Sequence, residues 1–124
     1  IAKKDYRAIA GLSMGGFPSL YITINNPDAF GYTGLFSAAV GVTDTSVSPI
    51  YADFDSKLAA YFSKKPKLFW TGIGSADFLY KTNHEMRAKF DAAGYPYEYM
   101  ETDGGHVWKN WRIYLSVFAP KLFR

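Results

Sequence analysis

The chain has 124 residues, 48% hydrophobic and 19% aromatic, which suits one compact folded unit and excludes a disordered or fibrous chain. Its 14 Lys and Arg outnumber 11 Asp and Glu for a net charge of +3, but the charges are interspersed, so neither nucleic acid nor a membrane is an expected partner. There is no cysteine for a disulfide framework or thiolate metal site, no apolar run nears the roughly 18 residues of a membrane span, and no leader is expected at the start.

Ile1 to Asp5 gives only a few residues before Tyr6-Arg7-Ala8-Ile9-Ala10, a short run bounded like a strand. Gly11-Leu12-Ser13-Met14-Gly15-Gly16 follows, and it fits the G-x-S-x-G pattern of a nucleophile elbow, in which a serine sits on a tight strand-to-helix turn. Phe17, Leu20, Tyr21 and Ile24 then recur at helical spacing until Pro27. Ser13 is the candidate nucleophile. Small residues are expected at Gly11 and Gly15 so that strand and helix can pack closely, with Gly16 as a third. The following helix aims its unpaired N–H groups and positive dipole end at the turn, which favours negative charge on a bound carbonyl oxygen. The backbone N–H of Met14 is the expected oxyanion donor.

Phe30 to Ser37 is a short apolar run between glycines and predicts a second, buried strand. Ala38 to Pro49 reads as a loop; Ile50, Phe54, Leu58, Tyr61 and Phe62 then repeat at helical spacing, with Pro49 suited to a first helical position. Lys67 to Gly72 predicts a third strand, ending in the glycine-rich loop Gly72-Ile73-Gly74-Ser75-Ala76-Asp77. Gly72 and Gly74 lack the third glycine of a dinucleotide fingerprint, so they are assigned to backbone freedom in that loop, and no nucleotide is expected. Tyr80 to Ala93 predicts a third helix with Gly94 as its C-terminal cap. Tyr97 to Glu101 alternates as a fourth strand, Asp103 to His106 forms a loop, and Trp108, Trp111, Leu115 and Phe118 give the apolar stripe of a last helix.

Strand and helix alternate throughout, which calls for an α/β fold with a parallel sheet of about four strands and helices on both faces. Such sheets bind ligands beyond the carboxyl ends of their strands, and three of those ends carry Ser13, Asp77 and His106 in turn. That is the chain order of an α/β-hydrolase triad, with Ser13 attacking, His106 moving the proton and Asp77 orienting the imidazole. Each has a simpler alternative: Ser13 or Asp77 as a helix cap, and His106 as a loop residue at the last helix. Asp103 and Asp44 are the rival acids. His84, beside Glu85 in H-E-M-R-A, lacks a second histidine at helical spacing, so it is expected to be a solvated helix residue and no metal is expected. Phe36, Tyr51, Phe78, Tyr80 and Trp108 could line a groove for sugars or an aromatic acid; Trp108, close to His106, is the leading substrate-binding candidate.

Gly11 to Gly16, Leu68 to Gly74 with Asp77-Phe78-Leu79, and Gly104-Gly105-His106-Val107-Trp108 with Trp111 together resemble the putative-esterase family of α/β-hydrolases, which includes feruloyl and acetyl xylan esterases, S-formylglutathione hydrolases and mycolyltransferases. Gly-Gly-His followed by Trp, and the closing Phe118-Ala119-Pro120, look most like the bacterial feruloyl and xylan esterase branch (carbohydrate esterase family 1). The resemblance implies Ser13, Asp77 and His106 as the triad, a covalent acyl-enzyme, no cofactor, a small-molecule or polysaccharide ester as substrate, and an extracellular or periplasmic setting. It implies removal of feruloyl or acetyl groups from plant cell-wall polysaccharide; acyl transfer to a sugar hydroxyl, or a non-catalytic interaction module, are the alternatives. Family members carry several strands and a loop donating a second oxyanion N–H upstream of the elbow. Residues 1–124 are therefore expected to be a partial domain, the C-terminal half of an α/β-hydrolase fold, whose elbow strand is left as an open edge where aggregation, self-association or an unseen partner is expected.

Overall fold

The computed structural model describes residues 3–40 and 53–124. Four strands, β1 (Ala8–Leu12), β2 (Tyr32–Phe36), β3 (Leu68–Gly74) and β4 (Glu98–Thr102), form one sheet in the order β1-β2-β3-β4. All three neighbouring pairs are parallel. Helices α1 (Gly16–Asn25), α2 (Phe54–Ser63), α3 (Tyr80–Ala93) and α4 (Trp108–Phe118) fill the connections and follow the last strand. Pro49 and Ile50, expected to open α2, lie outside the described residues.

β2 and β3 are buried along their whole length because helices cover both of their faces. Leu35 and Phe69 point to one face, where Leu20 and Ile24 of α1, Leu58, Tyr61 and Phe62 of α2, and Met86 and Phe90 of α3 close over them. Tyr32, Phe36, Leu68 and Trp70 point to the other, against Tyr114 and Phe118 of α4. Each of these side chains contributes on the order of 2 kcal/mol by leaving water, and because all four strands run parallel their carboxyl ends share one rim.

Several elements differ from expectation. Tyr6 belongs to a 3-10 turn (Lys4–Tyr6), and β1 runs on through Gly11 and Leu12, because pairing with Leu35 and Phe36 of β2, not local propensity, sets where the strand ends. In α1 the buried face is Gly16, Ser19, Leu20, Thr23 and Ile24, while Tyr21 is exposed, since this helix packs close to β1 through small residues. The inner stripe of α4 is Asn110, Tyr114 and Phe118, at i, i+4 and i+8; Trp108 and Leu115 of the expected stripe face outward at 66% and 56% exposure. α3 and its cap stand where the sequence puts them, with Gly94 at a φ of 73°.

Candidate active site

Ser13 leaves β1 with a backbone φ of 54°, a left-handed conformation costing an L-residue about 1–3 kcal/mol that only surrounding contacts can hold. The flanking residues hold it. A Cβ on Gly11 would lie 2.1 Å from the Gly15 carbonyl oxygen, so the strand can pass beneath the turn only without a side chain. A Cβ on Gly16 would come within 2.3 Å of the Ala38 Cβ, and the neighbouring Ala39 N–H donates to the Ser13 carbonyl at 2.7 Å. Gly15 does not play the expected part: a Cβ there meets nothing within 4 Å, because it projects away from the strand. The close-packing pair is Gly11 and Gly16. Met14 sits in the 3-10 turn Ser13–Gly15 that leads into α1, its side chain 80% exposed.

Asp77 lies beyond β3, in a loop joined to the loop after β4: Ser75 N–H donates to the Thr102 carbonyl at 2.8 Å, and Ala76 N–H to that of Gly104 at 2.9 Å. Gly72 and Gly74 fall inside β3, not in the loop. A Cβ on Gly74 would lie 2.3 Å from the Gly104 oxygen, so this glycine permits close approach of the two segments, where backbone freedom was expected. The Asp77 side chain is fully buried. Its Oδ1 accepts the Leu79 N–H at 2.8 Å, and its Oδ2 accepts His106 Nδ1 at 2.8 Å. The simpler reading of Asp77 as a cap of the following helix is replaced by a local turn closed onto Leu79, since Leu79 stands at the N-cap of α3 without a side-chain cap bond, and this turn coexists with the bond to histidine.

His106 completes the row, with Nε2 2.7 Å from Ser13 Oγ. Because an ionised carboxylate can only accept, Nδ1 carries the proton toward Asp77, and the Nε2 lone pair faces the serine hydroxyl. The His106 loop is tied to α4 by Asn110, whose Nδ2 donates to the carbonyls of Asp103 at 3.1 Å and Gly105 at 2.9 Å. Phe78 and Trp111 flank the imidazole at ring-centroid distances of 4.9 and 5.0 Å. Asp103 is exposed and gives Asn110 only its carbonyl, so it is not the partner of His106; Asp44 lies outside the described residues.

Trp108 stands beside the row. With Leu12, Phe36, Trp111, Arg112 and Leu115 it lines an open, almost wholly apolar hollow of about 150 Å³. Of the other aromatic candidates, Phe36 is a core residue forming part of that lining, Phe78 is 76% exposed, Tyr80 donates its hydroxyl to Glu101 at 2.7 Å, and Tyr51 lies outside the described residues. A larger hollow of about 330 Å³ between α2 and α3 includes Asp55, Leu58 and Lys89 in its lining and no member of the row. His84 is exposed on α3, stacked on Tyr80. Among the described residues, no three His, Asp or Glu side chains gather as a metal-binding set.

Three contributors were not singled out from the sequence. Asn110 and Asn83 are buried on the inner faces of α4 and α3, and Asn83 donates to the Ala38 carbonyl at 2.9 Å. Ser37, fully buried at a φ of 48°, accepts from Trp111 Nε1 at 3.1 Å. The available signal was an asparagine at helical spacing from apolar positions, Asn110 four residues before Tyr114 and Asn83 three before Met86 and seven before Phe90, on helices that otherwise pack apolar side chains.

The family model described as "Putative esterase" matches residues 1–122. The chain belongs to this family. An endo-1,4-beta-xylanase/feruloyl esterase of Xylanibacter ruminicola is 32% identical over 124 residues, covering 99% of this chain and 15% of that protein. Among solved structures, a ferulic acid esterase superposes with a TM-score of 0.75 at 26% identity, over 100% of this chain and 55% of its own. The CE1 ferulic acid esterase of the anaerobic fungus Anaeromyces mucronatus gives 0.84 at 22% identity, over 99% and 46%. The α/β-hydrolase fold is thus shared, and the chain spans about half the length of these solved relatives.

Proposed function

We propose that the chain carries the reaction centre of a serine carboxylic-ester hydrolase, with Ser13 as nucleophile, His106 as general base and acid, Asp77 as orienting acid and the Met14 N–H as an oxyanion donor. The observation that carries this reading is the continuous row Asp77 Oδ2···Nδ1 His106 Nε2···Oγ Ser13, at 2.8 and 2.7 Å. As Ser13 Oγ bonds to the ester carbonyl carbon, its proton passes to Nε2, and the carbonyl oxygen takes up negative charge near the start of α1. Collapse expels the leaving alcohol, which takes the proton from Nε2 and leaves an acyl group on Ser13. Water then repeats the sequence, His106 removing its proton, and frees the acid.

The substrate class proposed is a feruloyl or acetyl ester of plant cell-wall polysaccharide. It is favoured by the named activity of the xylanase/feruloyl esterase relative and by the apolar hollow that Trp108 lines beside the row, of a kind that takes up a flat aromatic acid. Residues 1–124 are read as part of a larger hydrolase domain. The shorter span relative to the solved structures supports this, as does the edge position of β1, where a further strand can pair.

The test is intact-mass analysis after exposure to a fluorophosphonate, which reports an activated serine whatever the natural ester. A single adduct is expected, lost in both Ser13→Ala and His106→Ala; an adduct that survives Ser13→Ala would overturn the assignment. Hydrolysis of methyl ferulate in preference to an aliphatic methyl ester of the same size checks the substrate class.

A further inference from the structure

We propose that Trp111 is a positioning residue for the reaction: anchored through its indole N–H to Ser13's neighbouring strand end at Ser37, it packs with Phe78 against the His106 imidazole, and the two rings together restrain its tilt. The inference rests on the triad reading above and names what holds its histidine.

The two hydrogen bonds of His106 tie the ring along the line that joins Asp77 to Ser13. They fix the distance along that line and leave the ring free to tilt about it. The flanking rings supply the missing constraint. Trp111 meets the imidazole edge to face, at an interplanar angle of 83° and a centroid distance of 5.0 Å, and Phe78 does so at 61° and 4.9 Å. Phe78 is 76% exposed, so its place against the imidazole is not explained by burial in the core.

Trp111 is itself fixed. Its Nε1–H donates to Ser37 Oγ at 3.1 Å, and Trp108 braces its ring from outside at 5.1 Å. Ser37 is an unusual anchor, fully buried and at a φ of 48°, with its own N–H held by the Gly72 carbonyl at 2.9 Å. It begins the short segment that also steadies the nucleophile, because Ala39 two residues on donates to the Ser13 carbonyl. Nucleophile and base are thus referred to the same strand end, so that movement of one relative to the other is resisted.

This restraint matters most once Ser13 is acylated. The serine hydroxyl then no longer exists to hold Nε2, and His106 must keep its aim with Asp77 and the two rings alone while it takes a proton from water. A displacement of about 1 Å at a reacting group costs roughly a hundredfold in rate. Removing Trp111 should therefore slow deacylation more than acylation.

The experiment compares wild type, Trp111→Leu, Trp111→Phe and Ser37→Ala in two ways. Stopped-flow hydrolysis of a p-nitrophenyl ester separates acylation from deacylation, and imidazole NMR follows His106 directly, with His84→Gln as background so that one histidine remains. Expected for Trp111→Leu is a fall of roughly ten- to a hundredfold in deacylation and a smaller fall in acylation, so that acyl-enzyme accumulates and KM falls, together with faster exchange of the His106 Nδ1 proton. Trp111→Phe keeps a ring but loses the anchor, and Ser37→Ala loses the same bond from its other end together with the Ser37 contact to Tyr114; Trp111→Phe should fall between wild type and Trp111→Leu, and Ser37→Ala at least as far as Trp111→Phe. If Trp111→Leu fails to fold, a fall of deacylation relative to acylation in both of those variants decides. Unchanged Nδ1 exchange and an unchanged ratio of the two rates in Trp111→Phe and Ser37→Ala overturn the proposal. Ester turnover that survives Ser13→Ala overturns the triad reading instead, so the two failures are distinct.

Discussion

Asp77 does two things with two oxygens, and that division makes its role testable. Oδ1 closes the turn onto Leu79 N–H, and Oδ2 accepts His106 Nδ1, the bond by which we propose it orients the imidazole. In Asp77→Asn one position becomes an NH₂ donor. If the amide oxygen keeps the Leu79 bond, the NH₂ faces Nδ1, which must then accept, and the imidazole proton moves to Nε2, where it points at the serine hydroxyl and blocks proton uptake. We expect kcat to fall by about 10⁴-fold, as a wrong tautomer costs elsewhere, with thermal stability nearly unchanged. Activity within tenfold of wild type, measured on the folded variant, would remove Asp77 from the mechanism. The three members of the row were legible in the sequence because each ends a strand in an α/β alternation, and topology sends those ends to one rim. Ser37, Asn83 and Asn110 were not, because polar residues within apolar stretches are ordinarily assigned to the solvated side. Only the packed structure shows that each turns inward to bond a loop carbonyl or an indole.

α2 closes the core over β2 with a phenol, and this gives the fold an alkaline weakness. Tyr61 is 1% exposed, and burial pushes its pKa up from 10 to about 12, with the Thr33 hydroxyl beside it opposing the shift. An unfolded chain loses this proton near 10, while the folded chain keeps it until about 12, so across that interval the unfolded state binds fewer protons and rising pH favours unfolding. Stability is therefore complete below about pH 10 and falls as pH approaches 12, by an amount on the order of 3 kcal/mol from this residue. Burial raises Tyr114 and Tyr99 in the same direction, so Tyr61→Phe should flatten the alkaline limb of Tm against pH without abolishing it. At neutral pH the variant should lose no more than about 1 kcal/mol, since its hydroxyl contact to Thr33 is long at 3.5 Å. An alkaline limb identical to wild type would show that Tyr61 ionises in the folded chain. At this scale the elements were largely legible. β2 and β3 are unbroken apolar runs, and Gly94 marks the end of α3. Which face of α4 turns inward was not, because Trp108, Trp111 and Leu115 offer an equally apolar stripe, and the choice falls to Tyr114 and Phe118, whose rings fit against Phe36 and Trp70.

The two edges of the four-stranded sheet are unlike, and the difference predicts how copies of residues 1–124 meet. β4 carries exposed Glu98 and Glu101, with Lys121 bonded to Glu98 at 3.0 Å and the Arg87 guanidinium 3.7 Å above the Tyr99 ring; charge and cover of this kind discourage strand pairing. β1, Ala8-Ile9-Ala10-Gly11-Leu12, carries no charge. Among the described residues, no strand pairs with its outer side. With residues 1–124 on their own, two copies related by a twofold axis are expected to join antiparallel along β1, the edge where a further strand of a larger domain would otherwise pair, and because the β4 edges at the far ends are charged the assembly is expected to close at two. Sedimentation velocity should therefore show a mass rising with concentration from one 13.9 kDa chain toward twice that value and no further. Ala10 is exposed at the middle of β1, so Ala10→Lys adds a charge to the edge without displacing a core contact, and should hold the chain monomeric with an unchanged Tm. A mass that stays at one chain throughout would show that the edge is protected without a partner, and a mass that climbs past two would mean that β4 pairs as well and that its charges do not guard it.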